Sequence, residues 1–387
     1  MENEMTSINV GLLGTASITR LVWASIHRAG HKVTLLGSRD PERGAAFVQE
    51  VCDDLNIPPT ASHRPQVSTY DEVVSSPNVD VVYIPIPVTA RDAWVRKCVE
   101  NGKHVVGEKP PASSAEELRE WIEALDAKDL LYMDGTMFSH GKRVELVSAA
   151  ARTIGPIKHM QSNHCLNAPA VFFEKDIRMD SSLEPHGALG DMGWYSIRYF
   201  LHIMEGRMPT SVTGHVIKTA RLAKEEEKEE NEKEEKYEKE AIVQFSGELT
   251  FDVDGHTTTA SFFTAFDAMD EQTLTVAGTE AVLRLKDMCH PVSDAPAAWT
   301  ITREETFMRG CRWEIKRDVQ RYTCDDATET QRDDMWRDVG RALYRNSEGK
   351  LVAREEPRRY WSSLAWKTQA VMDRMLKSAQ ALHVVAK

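Results

Sequence analysis

The chain has 387 residues, 41% of them apolar and 28% charged, an ordinary composition for a globular protein with more than one core. Sixty acidic residues against 48 basic ones give a net charge of -12, which argues against a nucleic-acid partner or an anionic membrane surface, because either would need a concentrated basic face. Six cysteines, at 52, 98, 165, 289, 311 and 324, form no C-x-x-C pair, so neither a disulfide framework nor a metal site is indicated and reduced thiols in the cytoplasm are expected.

The chain starts Met1-Glu2-Asn3-Glu4, without the apolar core of a signal peptide, and no apolar run approaches the length of a membrane span. From Ile8 to Asp134, apolar runs alternate with segments of helical period, the pattern of βαβ units feeding a parallel sheet. Strands are predicted at Ile8–Leu13, Lys32–Leu36, Val79–Ile84, His104–Val106 and Leu130–Met133. The first runs into Gly14-Thr15-Ala16-Ser17-Ile18-Thr19. A strand that ends in glycine and hands over to a helix turns free N–H groups and the positive helix end toward its neighbour, which suits a pyrophosphate. A strict G-x-G-x-x-G is absent; Gly14, Ala16 and Thr19 take its three positions and are small enough to serve with some loss, while an ordinary strand-to-helix turn is the alternative.

At the end of the second strand, where NAD-specific folds place an acidic residue, this chain has Gly37-Ser38-Arg39. Arg39 can grip a ribose 2′-phosphate bidentately and stack on adenine, with Ser38 and Arg43 assisting, so NADP is favoured and NAD remains possible. Asp40 could face the ribose but, standing before Pro41, reads better as a helix cap. Gly107-Glu108-Lys109-Pro110 follows the fourth predicted strand, and Ser113-x-x-Glu116 reads as a capping box ahead of Leu118, Trp121 and Leu125.

Beyond residue 135 the pattern changes to a helix over His140–Ile154 and β-branched, alternating segments near 157–166, 211–219, 241–252, 257–266, 272–277 and 280–286. Helical stretches at Asp333–Tyr344 and Trp361–Leu382 close the chain. Residues 224–240 hold ten Glu and five Lys among seventeen and read as a solvated insertion without chemistry. The expected fold is an α/β Rossmann domain with a doubly wound parallel sheet over 1–134, followed over 135–387 by an α+β domain with a large open, mostly antiparallel sheet.

Five segments in this order, Gly11-Leu12-Leu13-Gly14-Thr15-Ala16, Ser38-Arg39, Tyr83-Ile84-Pro85-Ile86-Pro87, Glu108-Lys109-Pro110 and Gly187-Ala188-Leu189-Gly190-Asp191-Met192-Gly193-Trp194-Tyr195, resemble the glucose-fructose oxidoreductase/inositol dehydrogenase (Gfo/Idh/MocA) superfamily. Within it the likeness is to the branch of D-xylose dehydrogenases and dimeric trans-dihydrodiol dehydrogenases. The resemblance implies an NADP-dependent enzyme that moves a hydride between nicotinamide and a secondary hydroxyl of a small sugar, polyol or trans-dihydrodiol, working as a homodimer on a small-molecule substrate. It implies cofactor contacts from Gly11, Gly14, Thr15, Ala16, Ser17, Ile18, Ser38, Arg39, Arg43, Pro85, Pro87, Glu108 and Lys109. Lys109, Asp191 and Tyr195 would be catalytic, the last two lying four apart on one helix face and sharing a pocket, with Arg178 and His140 also near the substrate. A phenol of ordinary pKa, about 10, is a poor base, but a neighbouring Lys109 ammonium would favour the phenolate of Tyr195 and stabilise a developing alkoxide.

The chain departs from that pattern in three places. Pro87-Val88-Thr89-Ala90-Arg91 replaces a segment in which relatives commonly carry an asparagine and a histidine; His186 stands where glycine is usual; Asp134-Gly135-Thr136-Met137-Phe138-Ser139-His140 differs from the commoner Arg-Phe-His form. These departures keep open a non-catalytic, cofactor-binding regulator of the same fold, or a reductase of a different carbonyl or imine.

Overall fold

Short runs such as Val-Val-Tyr-Ile at 81–84, buried at every residue, build a parallel sheet covered on both faces. The computed structural model describes residues 5–58, 64–221, 240–291, 297–326 and 328–385. In the first part of the chain β1 (Asn9–Leu13), β2 (Lys32–Gly37), β3 (Gln66–Ser68), β4 (Val81–Ile84), β5 (His104–Gly107) and β6 (Tyr132–Asp134) alternate with α1 (Ser17–Arg28), α2 (Pro41–Asp54), α3 (Tyr70–Ser75), α4 (Asp92–Glu100) and α5 (Ala115–Asp126). The strand order is β3-β2-β1-β4-β5-β6, with every pair parallel. This is the doubly wound order expected, and it reverses direction between β1 and β4, where such sheets bind ligands at the carboxyl ends of the strands.

Local signals fix the helix starts. The Asp40 carboxylate accepts the N–H groups of Glu42 and Arg43 at 3.0 and 3.1 Å, with Pro41 in the first turn. The cap of α5 falls one residue later than the sequence predicts. Ser114 Oγ accepts the Glu117 N–H, and the Glu117 carboxylate reaches back to the Ser113 N–H. Val82, Ile84, Val95, Leu118, Trp121 and Leu125 pack together in the core that holds β4 and β5 rigid.

His104, at the start of β5, is buried, and its Nδ1 accepts the Leu131 N–H at 3.0 Å, which requires a neutral ring. Burial pushes this imidazole down to about 4 despite a hydrogen bond to the Leu351 backbone. Between that value and the unfolded one, about 6.5, the unfolded chain binds more protons, so stability is full above about pH 6.5 and falls toward pH 4 by up to about 3 kcal/mol. Thermal melts across that window are expected to show the loss, and His104→Gln is expected to flatten it; an unchanged pH slope in the variant would refute the assignment.

In the second part α6 (Lys142–Ala151), β7 (Ile157–Asn167), α7 (Ala170–Lys175), α8 (Trp194–Ile203), β8 (Ser211–Ala220), β9 (Ala241–Val253), β10 (His256–Ala265), β11 (Asp267–Gly278), β12 (Val282–Lys286), β13 (Ala297–Arg309) and β14 (Arg312–Cys324) follow. Their sheet has the order β14-β13-β12-β11-β7-β10-β9-β8 and is antiparallel except for β7 beside β10. Gly214 of β8 lets the strand pass the backbone of residue 375, whose carbonyl oxygen would lie 2.4 Å from an added Cβ. The hairpin of β13 and β14 has no counterpart in the sequence prediction. Of the predicted insertion at 224–240, all but Glu240 lies outside the described residues.

The chain ends in α9 (Thr328–Ala342), β15 (Leu343–Arg345), β16 (Leu351–Ala353) and α10 (Glu355–Val385). Two compact units result: Met1–His140 with Glu329–Gln369, and Gly141–Thr328 with Ala370–Lys387. Residues 329–369 therefore fold with the first unit, unlike the linear division at residue 134. They supply buried contacts there, including Trp336 against Tyr83 and the Trp336 carbonyl against His31. Among the described residues, which include all six cysteines, no disulfide forms. Among the described residues no helix is long and apolar enough to cross a membrane.

Candidate active site

The turn from β1 to α1 has an open end. Gly14 takes φ +101°, and an added Cβ would stand 2.9 Å from the Tyr70 hydroxyl. Thr15, Ala16 and Ile18 are half-buried and Ser17 is exposed; no side chain caps the N-terminus of α1, and its first turn carries no acidic residue. Its leading N–H groups and dipole are thus unopposed by a carboxylate, the arrangement that binds a phosphate. Gly11, expected among the cofactor contacts, is buried within β1, where a Cβ would meet Val73 Cγ1 at 2.5 Å, so its missing side chain lets α3 pack against the strand.

At the end of β2, Ser38 is buried and donates to the Asp40 carbonyl at 2.6 Å, closing the turn from within. Arg39 and Arg43 are exposed. Burial raises the pKa of the Tyr70 phenol, and the charges of Arg39 and Arg43 oppose that rise, so both cations lie within electrostatic reach of Tyr70. Gly14, Tyr70, Arg39 and Arg43 therefore form one cradle, positive on its β2 side, into which a phosphorylated ribose fits chemically. Tyr70 also meets Trp94 edge-on at 5.0 Å. Nothing in the linear sequence marks Tyr70, because its partners come from three separate stretches, at Gly14, at Arg39 and Arg43, and at Trp94.

At the carboxyl ends of β4 and β5 a buried polar set holds the Glu108-Lys109-Pro110 loop. The Tyr83 hydroxyl, on β4, donates to Glu108 Oε1 at 2.5 Å, and the Lys109 N–H donates to Glu108 Oε2 at 3.2 Å. Burial first, then the Glu108 charge, pushes the Tyr83 phenol far above the usual tyrosine value, so it stays a donor. Gly135, after β6, makes room for that carboxylate, since a Cβ there would stand 2.7 Å from Glu108 Oε1. Arg91, which the sequence marks only as a departure, is buried with it. Its Nε donates to the Ile86 carbonyl at 2.8 Å, between the half-buried Pro85 and Pro87, and its Nη1 lies 2.5 Å from the carbonyls of Glu108 and Pro110 and 3.2 Å from that of Pro111. Lys109 itself is half-buried at the tip of this fastened loop.

His140 ends the first unit with its side chain buried. Nδ1 lies 2.8 Å from Asp338 Oδ2, and the ring stacks on Trp361 at 3.9 Å. Burial pushes the Asp338 carboxyl up, but hydrogen bonds and charges from His140 and Arg341 outweigh it and leave it below the usual range. The expected substrate contact thus already serves a structural pair on that nitrogen and on its ring face.

In the second unit, Asp191 and Tyr195 lie four apart in a stretch where the π-turn Leu189–Gly193 runs into α8. Asp191 Oδ2 pairs with Arg178 Nε at 3.0 Å, and Arg178 Nη1 meets Asp176 Oδ1 at 3.1 Å. The charges of Asp191 and then Asp176 hold the Arg178 guanidinium above its ordinary pKa against burial. Tyr195, nearly buried, packs its ring against His164 at 5.3 Å and His290 at 5.5 Å. The structure thus gathers Asp191 with Arg178, and Tyr195 with two histidines that the sequence reading missed. His164 lies on β7 and His290 after β12, so only the sheet brings them together.

Residues 8–136 match the oxidoreductase family with an NAD-binding Rossmann fold, and residues 148–284 match the GFO/IDH/MocA C-terminal domain. The chain belongs to the GFO/IDH/MocA oxidoreductase family. D-xylose 1-dehydrogenase (NADP(+)) 2 of Haloferax volcanii is 30% identical to it over 189 residues, covering 48% of this chain and 54% of the relative. Trans-1,2-dihydrobenzene-1,2-diol dehydrogenase of Xenopus tropicalis is 27% identical over 189 residues, covering 47% and 52%. The chain spans about half the length of the curated relatives it matches. A solved 3-ketoreductase from Actinomadura kijaniata, in complex with NADP and TDP-benzene, shares the fold with a TM-score of 0.72 at 18% identity, over 96% of this chain and 98% of that one.

Proposed function

We propose that this family member is an NADP-dependent oxidoreductase that transfers a hydride between nicotinamide and a secondary hydroxyl of a small sugar, polyol or trans-dihydrodiol. The observation that carries the reading is the fastening of the Lys109 loop, by Tyr83, Glu108 and Arg91, at the carboxyl end of β5, one strand from the switch point between β1 and β4, in a sheet whose β1–α1 crossover offers a phosphate cradle. The relatives named above, one acting on D-xylose with NADP and one on a trans-dihydrodiol, support the substrate class.

Gly14, Thr15, Ala16 and the first N–H groups of α1 would hold the pyrophosphate, and Arg39 and Arg43 the 2′-phosphate. NADP, when bound, supplies the carbon that accepts or returns the hydride. Lys109 donates a hydrogen bond to the oxygen of the reacting carbon and stabilises the charge that develops there. Tyr195 is the proposed proton carrier: as the phenolate it takes the hydroxyl proton when the alcohol is oxidised, and as the phenol it returns it in reduction. The Asp191 and Arg178 pair offers an acceptor and a donor to further hydroxyls of the substrate.

The test is reduction of NADP⁺ and of NAD⁺ over a panel of small sugars, polyols and trans-dihydrodiols; failure to reduce either with any of them contradicts the proposal. Arg39→Ala removes a charge-assisted contact worth about 1.5–3 kcal/mol, so KM for NADP⁺ is expected to rise roughly 10- to 100-fold while KM for NAD⁺ stays near wild type. An unchanged preference between the two cofactors would remove Arg39 from the site.

A further inference from the structure

We infer that Arg91 is a positioning residue for Lys109: its buried guanidinium fastens the crossover loops after β4 and β5 to each other and so fixes the lysine-bearing turn. The inference rests on the proposed role of Lys109 and adds how that role is held in place.

Arg91 sits between the short 3-10 turn Val88–Ala90 and α4, and only 3% of it is exposed. Four carbonyl groups from two separate connections meet on this one side chain: Ile86 from the loop after β4, and Glu108, Pro110 and Pro111 from the loop after β5. Two of them, those of Glu108 and Pro110, flank Lys109 on either side. The loop after β5 has few donors of its own, because residues 110 and 111 are both proline and carry no N–H. Buried carbonyls need a donor, and without Arg91 these would have to find water or rearrange.

The Glu108 carboxylate does not provide the fastening by itself, since it takes the Tyr83 hydroxyl and the Lys109 N–H. Only a fork of several N–H groups fits the arrangement. Nε serves one loop, and the two hydrogens of Nη1 are shared among three carbonyls of the other. Histidine would bring at most two donors and lysine a single point charge; arginine stays protonated throughout the working pH range. Arg91 is therefore not merely the loss of another residue's contact but a different way of setting the same turn. The nucleotide cradle of Gly14, Arg39 and Arg43 lies on other crossovers, so the clamp acts on turnover more than on cofactor affinity.

The experiment compares the intact wild-type chain with Arg91→Ala and Arg91→Lys by backbone hydrogen exchange and by steady-state kinetics with NADP⁺ and the best substrate of the panel. Faster exchange confined to residues 84–91 and 107–112 is expected in Arg91→Ala, with a fall in kcat of about 10²-fold that exceeds any rise in KM for NADP⁺, and partial recovery of kcat on adding millimolar guanidinium. Arg91→Lys is expected to retain the fold and lose about tenfold, without guanidinium rescue. Wild-type exchange in both loops, wild-type kcat, or a loss of kcat that tracks exchange raised throughout the chain with no rescue would each overturn the inference. If the wild type turns over nothing in the panel, the hydride-transfer reading fails, and local exchange in Arg91→Ala still decides whether the clamp exists.

Discussion

Lys109→Ala is expected to lower kcat by about 10²- to 10⁴-fold with a much smaller effect on KM for NADP⁺, a loss of roughly 3–5 kcal/mol of transition-state stabilisation. The reason is differential: the ammonium meets charge that forms on the substrate oxygen only as the reaction proceeds, so its removal weakens the transition state more than the bound ground state. The variant keeps the backbone contacts of its loop, from the Glu108 N–H to the Ile84 carbonyl and from the residue 109 N–H to Glu108. Its thermal melt is therefore expected to overlay that of the wild type. Tyr195→Phe removes only the hydroxyl, preserves the ring contacts with His164 and His290, and is expected to lose a comparable factor in kcat. Steady-state kinetics beside melting curves check both; a variant that melts early, or one with undiminished kcat, would deny the residue its role.

Gly14→Val is expected to abolish the stabilisation that NADP gives the protein. Valine at φ +101° is strained by about 1–3 kcal/mol, and its Cβ would approach the Tyr70 hydroxyl to 2.9 Å, so the turn must move away from the shape that exposes the first N–H groups of α1. For the wild type, NADP at a hundredfold excess over Kd adds about 2.7 kcal/mol, a rise in Tm of several degrees. No such rise is expected in the variant, measured by calorimetry with and without NADP. A full ligand-induced shift in Gly14→Val would show that this turn does not bear on the pyrophosphate.

The parallel sheet was legible because its strands read as short, mostly apolar runs between helical segments, as at Val81–Ile84, buried at every residue, and at Lys32–Gly37 before the helix that Asp40 caps. The hairpin of β13 and β14 was not, because most of β14 is exposed and residues such as Lys316, Arg317 and Asp318 obscure the alternation that marks a half-buried strand; register comes from an unbroken antiparallel ladder to β13. Lys109, Asp191 and Tyr195 were identifiable from short motifs. Tyr70, Tyr83, Gly135, His164 and His290 were not, since each acquires meaning from a partner far along the chain: Tyr83 from Glu108, Gly135 from the space that Glu108 needs, and the two histidines from the ring of Tyr195. Arg91 shows the same limit from the other side. In the sequence it is a departure from a pattern, and in the fold it is a donor to four carbonyls.

Following the hydride itself is the most direct experiment. A substrate from the panel that carries deuterium on the carbinol carbon is oxidised by the wild-type chain and by Lys109→Ala with NADP⁺, and the mass of the reduced cofactor is read over time. The expected result is reduced cofactor carrying the label with the wild type and little above background with the variant. Unlabelled reduced cofactor, or labelled cofactor formed equally fast by both proteins, would contradict hydride transfer at a site that depends on Lys109.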